Sequence, residues 1–156
     1  MDKFQKTTAK HSKKLNLQFS RRKMSSFEKK NNFLALLVTV LLSSIIGTCL
    51  DAFFVHTQIY SFPVRPFSSI FSVNIGFTLF LLPILTIIFI QISKTLSAVS
   101  RTLFIILIGI CASIFEQVAE RLGLFVHNEH WHHTYSLFGY MIFLTFIWKV
   151  YRWLPK

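Results

Sequence analysis

Residues 102–122 read TLFIILIGICASIFEQVAERL, and this stretch decides the fold class. Its apolar residues form one continuous block instead of the alternating pattern of a strand. At a rise of about 1.5 Å per residue, a helix of this length crosses the roughly 30 Å hydrocarbon core of a bilayer. The stretch therefore predicts a transmembrane helix, and its acidic residues Glu116 and Glu120 fall near one end of it.

Three further stretches have the same character, residues 33–55, 72–92 and 134–154, and 53% of the chain is hydrophobic. Too little sequence lies outside these stretches to build a second, water-soluble core. We therefore predict an all-α integral membrane four-helix bundle spanning residues 33–154. Residues 1–32 form a basic tail that is expected to be cytoplasmic and either disordered or interfacial.

Basic residues indicate how the bundle is oriented. Segments rich in Lys and Arg resist translocation and stay in the cytoplasm. The tail carries ten such residues before Phe33, and with four spans the connection between the second and third spans and the C-terminus fall on the same side. Those two segments hold Lys94, Arg101, Lys149, Arg152 and Lys156. The prediction is a multi-pass protein of the cell membrane with both termini in the cytoplasm.

The same charges bear on the partners of the chain. The tail is expected to bind anionic lipid headgroups of the bilayer, each Lys or Arg contributing about 1 kcal/mol. It has no recognisable nucleic-acid-binding module, so no nucleic acid partner is expected. A homo-oligomer or a second membrane protein remains open as a partner.

Polar residues recur on single faces of the predicted helices, where bundle interiors are expected. Glu116 lies about 9 Å below the membrane boundary, six residues at about 1.5 Å each. A carboxylate at that depth is costly unless it is protonated, paired or hydrated. The predicted outward-facing cluster comprises Asp51, Asn74, Glu116, Glu120, Trp131 and Tyr135. Three roles are open for it: an interhelical hydrogen-bond lock, a ligand or ion site, and proton-transfer catalysis.

A histidine-rich loop, HNEHWHH at residues 127–133, precedes the last span. Histidine and glutamate together are the composition of a zinc or copper site, and His130, His133 and Glu129 are weak candidates. The loop lacks the HExxH order, and no cysteine lies near. We therefore expect membrane-interface anchoring with no cofactor and less than stoichiometric metal, with metal binding and pH sensing as alternatives.

A set of polar, aromatic, glycine and proline residues lies in a fixed order along the chain: Asp51, Tyr60–Pro63, Asn74, Pro83, Glu116, Glu120, Gly123, Trp131 and Tyr135–Ser136. This order resembles a known family, the small four-helix hypothetical membrane proteins common in spore-forming Gram-positive bacteria. The resemblance covers residues 33–154 and implies a four-span fold with no assigned reaction, cofactor or substrate. The long basic tail and the dense histidine run depart from the family.

Two functions from different classes follow from these observations. The leading hypothesis is a polar site inside the membrane that binds a small ligand, a lipid headgroup or a cation, or that holds a membrane partner. The alternative is a membrane-embedded enzyme that uses the Glu116–Glu120 pair and the histidines on a lipid or envelope substrate. No nucleophile motif or phosphate-binding loop in the sequence supports the enzyme.

Overall fold

A computed structural model describes residues 30–155 of the chain, and this part is helical apart from two short strands and the connections. The prediction of an all-α chain with four main helices is confirmed over these residues. The basic tail up to residue 29 lies outside them. The elements are α1 Lys30–His56, β1 Tyr60–Ser61, α2 Leu82–Ser93, α3 Ala98–Arg121, β2 Val126–His127 and α4 His133–Trp153.

The helix α2 is preceded by a π-helical turn, Phe77–Leu81. Pro83 lies in the first turn of α2, and its ring lacks an N–H and crowds the carbonyl four residues earlier. The wider turn accommodates this, and Leu82 N–H bonds to the carbonyl of Phe77. The apolar helix therefore runs over Phe77–Ser93 and is shorter than the predicted stretch 72–92.

Apolar side chains dominate the outer surface of the helices. Within residues 30–155, the helices Lys30–His56 and Ala98–Arg121 are long and apolar enough to cross a membrane. Only 17% and 11% of their most apolar windows are buried by the rest of the chain. Phe115 on α3 and Ile142 on α4 are 74% and 71% exposed. In water such a surface would be strongly unfavourable, so it requires an apolar environment or a partner.

Small and hydroxyl-bearing residues lie where the helices meet, within the compact unit of residues 36–153. Gly109 lets α3 approach α4 closely, since a Cβ there would lie 3.1 Å from Met141 Cγ and 3.2 Å from Leu137 Cδ1. Between α1 and α2, the hydroxyls of Ser43 and Thr86 form a buried hydrogen bond of 3.0 Å. These contacts use the small-residue and hydroxyl packing that is typical of helices in lipid.

Basic residues contact aromatic rings at the end of the bundle where α2 leads into α3. The guanidinium of Arg101 lies 4.1 Å from the ring centre of Trp148, and Lys94 Nζ lies 5.7 Å from that of Tyr151. Arg101 also donates to the carbonyls of Ser93 and Leu96. The α2–α3 connection and the C-terminal part of α4 therefore meet at one end, and the remaining polar residues of interest lie at the other.

Candidate functional site

The site lies where α3 ends and α4 begins, and Gly123 determines the path of the chain between them. Gly123 has φ +72°, a left-handed conformation that residues with a Cβ adopt at a cost. Its N–H bonds to the carbonyl of Glu120, and the N–H of Leu124 bonds to that of Ala119. This pair of bonds is a Schellman motif, which ends α3 and reverses the chain.

After this reversal, β2 pairs with β1 in an antiparallel ladder, with Tyr60 opposite His127 and Ser61 opposite Val126. The ladder holds His127 back over the last turn of α3. Asn128 extends the connection, because its amide Nδ2 donates to the carbonyl of Gln58 at 3.1 Å. A backbone pairing between distant segments thus brings His127 to Glu120.

Glu116 is the most enclosed carboxylate of the site, with its side chain 13% exposed. Its Oε1 accepts from Trp131 Nε1 at 3.0 Å and from His133 Nδ1 at 2.8 Å. Its Oε2 accepts from the hydroxyl of Ser136 at 2.5 Å. Three donors from the loop and from α4 therefore satisfy both oxygens, which offsets the cost of removing the carboxylate from water.

Glu120, one turn further along α3, is more open, with its side chain 38% exposed. Its Oε2 lies 3.1 Å from His133 Nε2, and its Oε1 lies 3.0 Å from His127 Nε2. The two imidazole rings meet nearly at right angles with centres 5.3 Å apart. We call Glu116, Glu120, His127 and His133 the Glu–His cluster.

An aromatic layer covers the cluster on the side of α1. Tyr60 is 8% exposed, and its ring lies 5.4 Å from that of Trp131 and 5.1 Å from that of Phe125. Its hydroxyl donates to Asp51 Oδ1 at 2.6 Å. Burial, followed by the negative charge of Asp51, raises the pKa of Tyr60 above its ordinary value, so the phenol stays protonated and can donate.

The structure brings together most, though not all, of the residues that the sequence placed in one cluster. Glu116, Glu120 and Trp131 share one hydrogen-bonded network, and Asp51 reaches it only through the ring of Tyr60. Tyr135 is 53% exposed and touches the edge of Trp131, with ring centres 6.0 Å apart. Asn74 instead accepts from the backbone N–H of Phe77 at 3.2 Å and starts the π-helical turn.

The residues of the histidine loop that contact the glutamates differ from those predicted as metal ligands from the sequence. His133 belongs to the cluster, but Glu129 and His130 are exposed, and His130 contributes only its backbone N–H, which donates to Asn128 Oδ1. His127 and Ser136, which we did not select, make direct contacts with the glutamates. Ser136 follows His133 by three residues and so shares its helix face, a signal present in the sequence.

His127, His133 and Glu120 form a set that could hold a metal ion, since one ligand atom from each lies within 4.8 Å of the others. A shallow depression of about 320 Å³ adjoins the strand pair and is lined in part by His127, Asn128 and Tyr60. The side chains of Glu120 and His127 are 38% and 19% exposed, so the cluster is reachable from the protein surface at these two residues, while Glu116 lies behind them.

Comparison of the chain with protein-family models, with curated proteins and with solved structures gives no match. The chemistry of the site is accordingly inferred from its own geometry.

Proposed function

We propose that the chain is a multi-pass membrane protein whose Glu–His cluster binds a cation or a polar lipid headgroup at the non-cytoplasmic end of the bundle. The apolar exposed surfaces of α1 and α3 support the membrane environment. Four crossings of the membrane require that α2 and α4 also span the bilayer. We also propose membership of the four-helix family of spore-forming Gram-positive bacteria, on the residue order given above.

The distribution of basic residues supports the orientation. Lys94 and Arg101 lie at the same end as Trp148 and Tyr151 of α4, and Lys149 and Arg152 are close to them in sequence. Positive charge concentrated at one end of a bundle favours that end remaining in the cytoplasm. The Glu–His cluster, at the opposite end, then faces the outside.

The observation that carries the binding function is the contrast between the two glutamates. Glu116 has three donors and is enclosed, so its hydrogen-bonding capacity is used within the protein. Glu120 is 38% exposed and has imidazoles as its neighbours, so it can take part in binding from the surface. The inner carboxylate thus orients the cluster, and the outer groups provide the binding face.

Native mass spectrometry of the full chain, purified in a mild detergent, tests this function. We expect the wild-type protein to retain a bound cation or phospholipid that Glu120→Gln loses. The matched control is Glu129→Gln, which removes an exposed carboxylate from the same loop region and should retain the bound species. Equal retention in both variants, or no bound species in the wild-type protein, would contradict the proposal.

A second candidate function is hydrolysis of a lipid or envelope substrate. The specific observation that favours it is His133, which joins two carboxylates of different exposure through its two ring nitrogens. Carboxylates in unlike environments can take separate acid and base roles. Incubation of the reconstituted protein with labelled membrane lipids should then give a product that Glu120→Gln does not form.

A further inference from the structure

The three surface-reachable groups of the Glu–His cluster are arranged as metal ligands. His127 Nε2 lies 3.0 Å from Glu120 Oε1, and His133 Nε2 lies 3.1 Å from Glu120 Oε2. In a tetrahedral zinc site with bonds of about 2.0–2.1 Å, neighbouring ligand atoms are roughly 3.3 Å apart. The two distances involve different oxygens of Glu120, and one ligand atom from each of the three residues lies within 4.8 Å of the others, so rotations of these side chains would admit a zinc ion between them.

The second nitrogen of each imidazole is held in the way that metal-bound histidines require. His133 Nδ1 lies 2.8 Å from Glu116 Oε1, and His127 Nδ1 lies 2.8 Å from the carbonyl oxygen of Asn128. Both partners accept, so each Nδ1 carries a hydrogen. Each Nε2 faces Glu120, and a zinc ion bound there would take the place of any hydrogen on Nε2. A carboxylate or a backbone carbonyl behind the imidazole is the usual support of a metal-bound histidine.

The charges of Glu116 and Glu120 also favour a bound cation. Over residues 30–155, the ion pairs formed by Glu116 and Glu120 are with histidines alone, and no Lys or Arg joins them. Two neighbouring carboxylates in a partly buried site are stabilised by positive charge. A divalent cation bound at Glu120 would supply it.

The ligand types select the metal. Ca²⁺ and Mg²⁺ prefer oxygen ligands throughout, whereas imidazole suits zinc and its transition-metal neighbours. Two histidines and one carboxylate leave a fourth position for water or a ligand, as in zinc sites that are not purely structural. The partial exposure of Glu120 and His127 keeps that position accessible.

We propose that Glu120, His127 and His133 bind a zinc ion where α3 ends and α4 begins, with Glu116 and the carbonyl of Asn128 orienting the two histidines. This rests on the proposed function, because it names the cation of the same site. It replaces the sequence-based expectation of no metal, and it excludes His130 and Glu129 as ligands.

The test is zinc titration of the full chain in detergent after removal of metal with a chelator, with the bound metal counted by elemental analysis after desalting. We expect about one equivalent of zinc per chain. Glu116→Gln should weaken zinc binding about 10- to 100-fold, because it alters the support of His133 and not a ligand. Glu120→Gln and His127→Gln should weaken it further.

The matched controls are His130→Gln and Glu129→Gln, which change the same residue types in the same loop and should bind zinc like the wild-type protein. Circular dichroism checks that each variant is folded. For the wild-type protein, substitution of Co²⁺ should give the visible absorption of a tetrahedral site, a readout that does not depend on any variant folding.

The outcomes separate this inference from the function on which it rests. Retention of stoichiometric zinc by Glu120→Gln and His127→Gln, or its loss in His130→Gln, would overturn the assigned ligands. A wild-type protein that binds no zinc but retains a phospholipid lost in Glu120→Gln would overturn the zinc site and leave the proposed function intact. A wild-type protein that retains neither would overturn both.

Discussion

Glu116 and Glu120 lie one turn apart on α3 and contact opposite nitrogens of one imidazole, that of His133, at 2.8 and 3.1 Å. Like charges at this helical spacing would otherwise repel each other. The ring between them converts the repulsion into two favourable contacts and fixes the start of α4 against the end of α3. The inner carboxylate therefore stabilises the fold, and the outer one remains free to serve binding.

Removal of the Glu116 carboxylate should destabilise the protein. Glu116→Ala leaves Trp131, His133 and Ser136 without their common acceptor, and we expect the free energy of unfolding to fall by about 3–5 kcal/mol. Glu116→Gln should be tolerated better, because an amide oxygen still accepts. Glu116→Lys should prevent assembly by adding a buried positive charge.

Thermal unfolding in detergent, followed by circular dichroism, measures these effects. Glu129→Ala is the control and should change stability by less than about 0.5 kcal/mol, because Glu129 is exposed. An unchanged melting temperature for Glu116→Ala would show that the network contributes nothing to folding.

The hydrogen bond between Tyr60 and Asp51 should show energetic coupling. Tyr60→Phe removes the only hydrogen bond that the described chain gives to the Asp51 carboxylate, whose Oδ2 is buried without a partner. We expect a loss of about 1–3 kcal/mol. In the Asp51→Asn background, Tyr60→Phe should cost less, since no buried charge is then left without a donor.

A double-mutant cycle on unfolding free energies isolates this coupling. Tyr135→Phe provides the matched control, because the Tyr135 side chain is 53% exposed and the same hydroxyl is removed. Additive effects of Tyr60→Phe and Asp51→Asn would mean that the 2.6 Å bond has no energetic significance.

Gly123 and Gly139 both have room for a Cβ, so replacing each with alanine compares the effect of their backbone conformations alone. A Cβ at Gly123 or at Gly139 would meet no atom within 4 Å, but only Gly123 has a positive φ, +72°. Gly123→Ala should therefore destabilise the protein by about 1–2 kcal/mol. Gly139→Ala, inside α4, should be neutral or stabilising by up to about 1 kcal/mol.

The melting temperature of Gly123→Ala should consequently be clearly lower than that of Gly139→Ala. Gly123→Asn should recover part of the loss in stability, because Asn tolerates the left-handed region. Equal behaviour of Gly123→Ala and Gly139→Ala would argue against the Schellman motif as the device that ends α3.

The proposed orientation predicts which residues a membrane-impermeant thiol reagent can reach in intact cells. In a background with Cys49 and Cys111 changed to Ala, Ser69→Cys should be labelled, because the β1–α2 connection lies outside. Thr95→Cys, in the α2–α3 connection, should be labelled only after the cells are opened; both positions are exposed in the protein.

A reporter that is active only outside the cytoplasm, fused after Lys156, should give no signal in the same cells. Strong reporter activity, or labelling of Thr95→Cys in intact cells, would reverse the arrangement of the spans. Either result would also place the Glu–His cluster on the cytoplasmic side.

The sequence predicted those features that depend on local patterns. Apolar blocks predicted the helices, and the four-residue spacing of Glu116 and Glu120 placed both on one face of α3. The path of the α3–α4 connection could not be predicted, because it depends on the conformation of Gly123 and on the pairing of Tyr60 with His127. The sequence therefore did not identify His127 as a residue of the site.

Asn74 shows the opposite limitation. It lies one turn before Thr78 in an apolar stretch, which suggested a polar face directed at the glutamates. Its side chain instead accepts from the N–H of Phe77, since the start of a helix leaves backbone donors without partners. Periodicity alone does not distinguish a residue that begins a helix from one that faces a neighbouring helix.

The hydrogen-bonding groups around Glu116 and Glu120 all come from one continuous stretch, residues 116–136, whereas Tyr60 of the aromatic layer comes from β1. The arrangement can therefore be written as a linear signature, E-x3-E-x6-H-x3-W-x-H-x2-S, placed at the end of an apolar helix and the start of the next. The signature supplies the donor set, but the placement of His127 also needs the strand Tyr60–Ser61, which pairs with Val126–His127. A transplant of residues 116–136 into a designed pair of transmembrane helices would therefore have to include the strand Tyr60–Ser61 to reproduce the site.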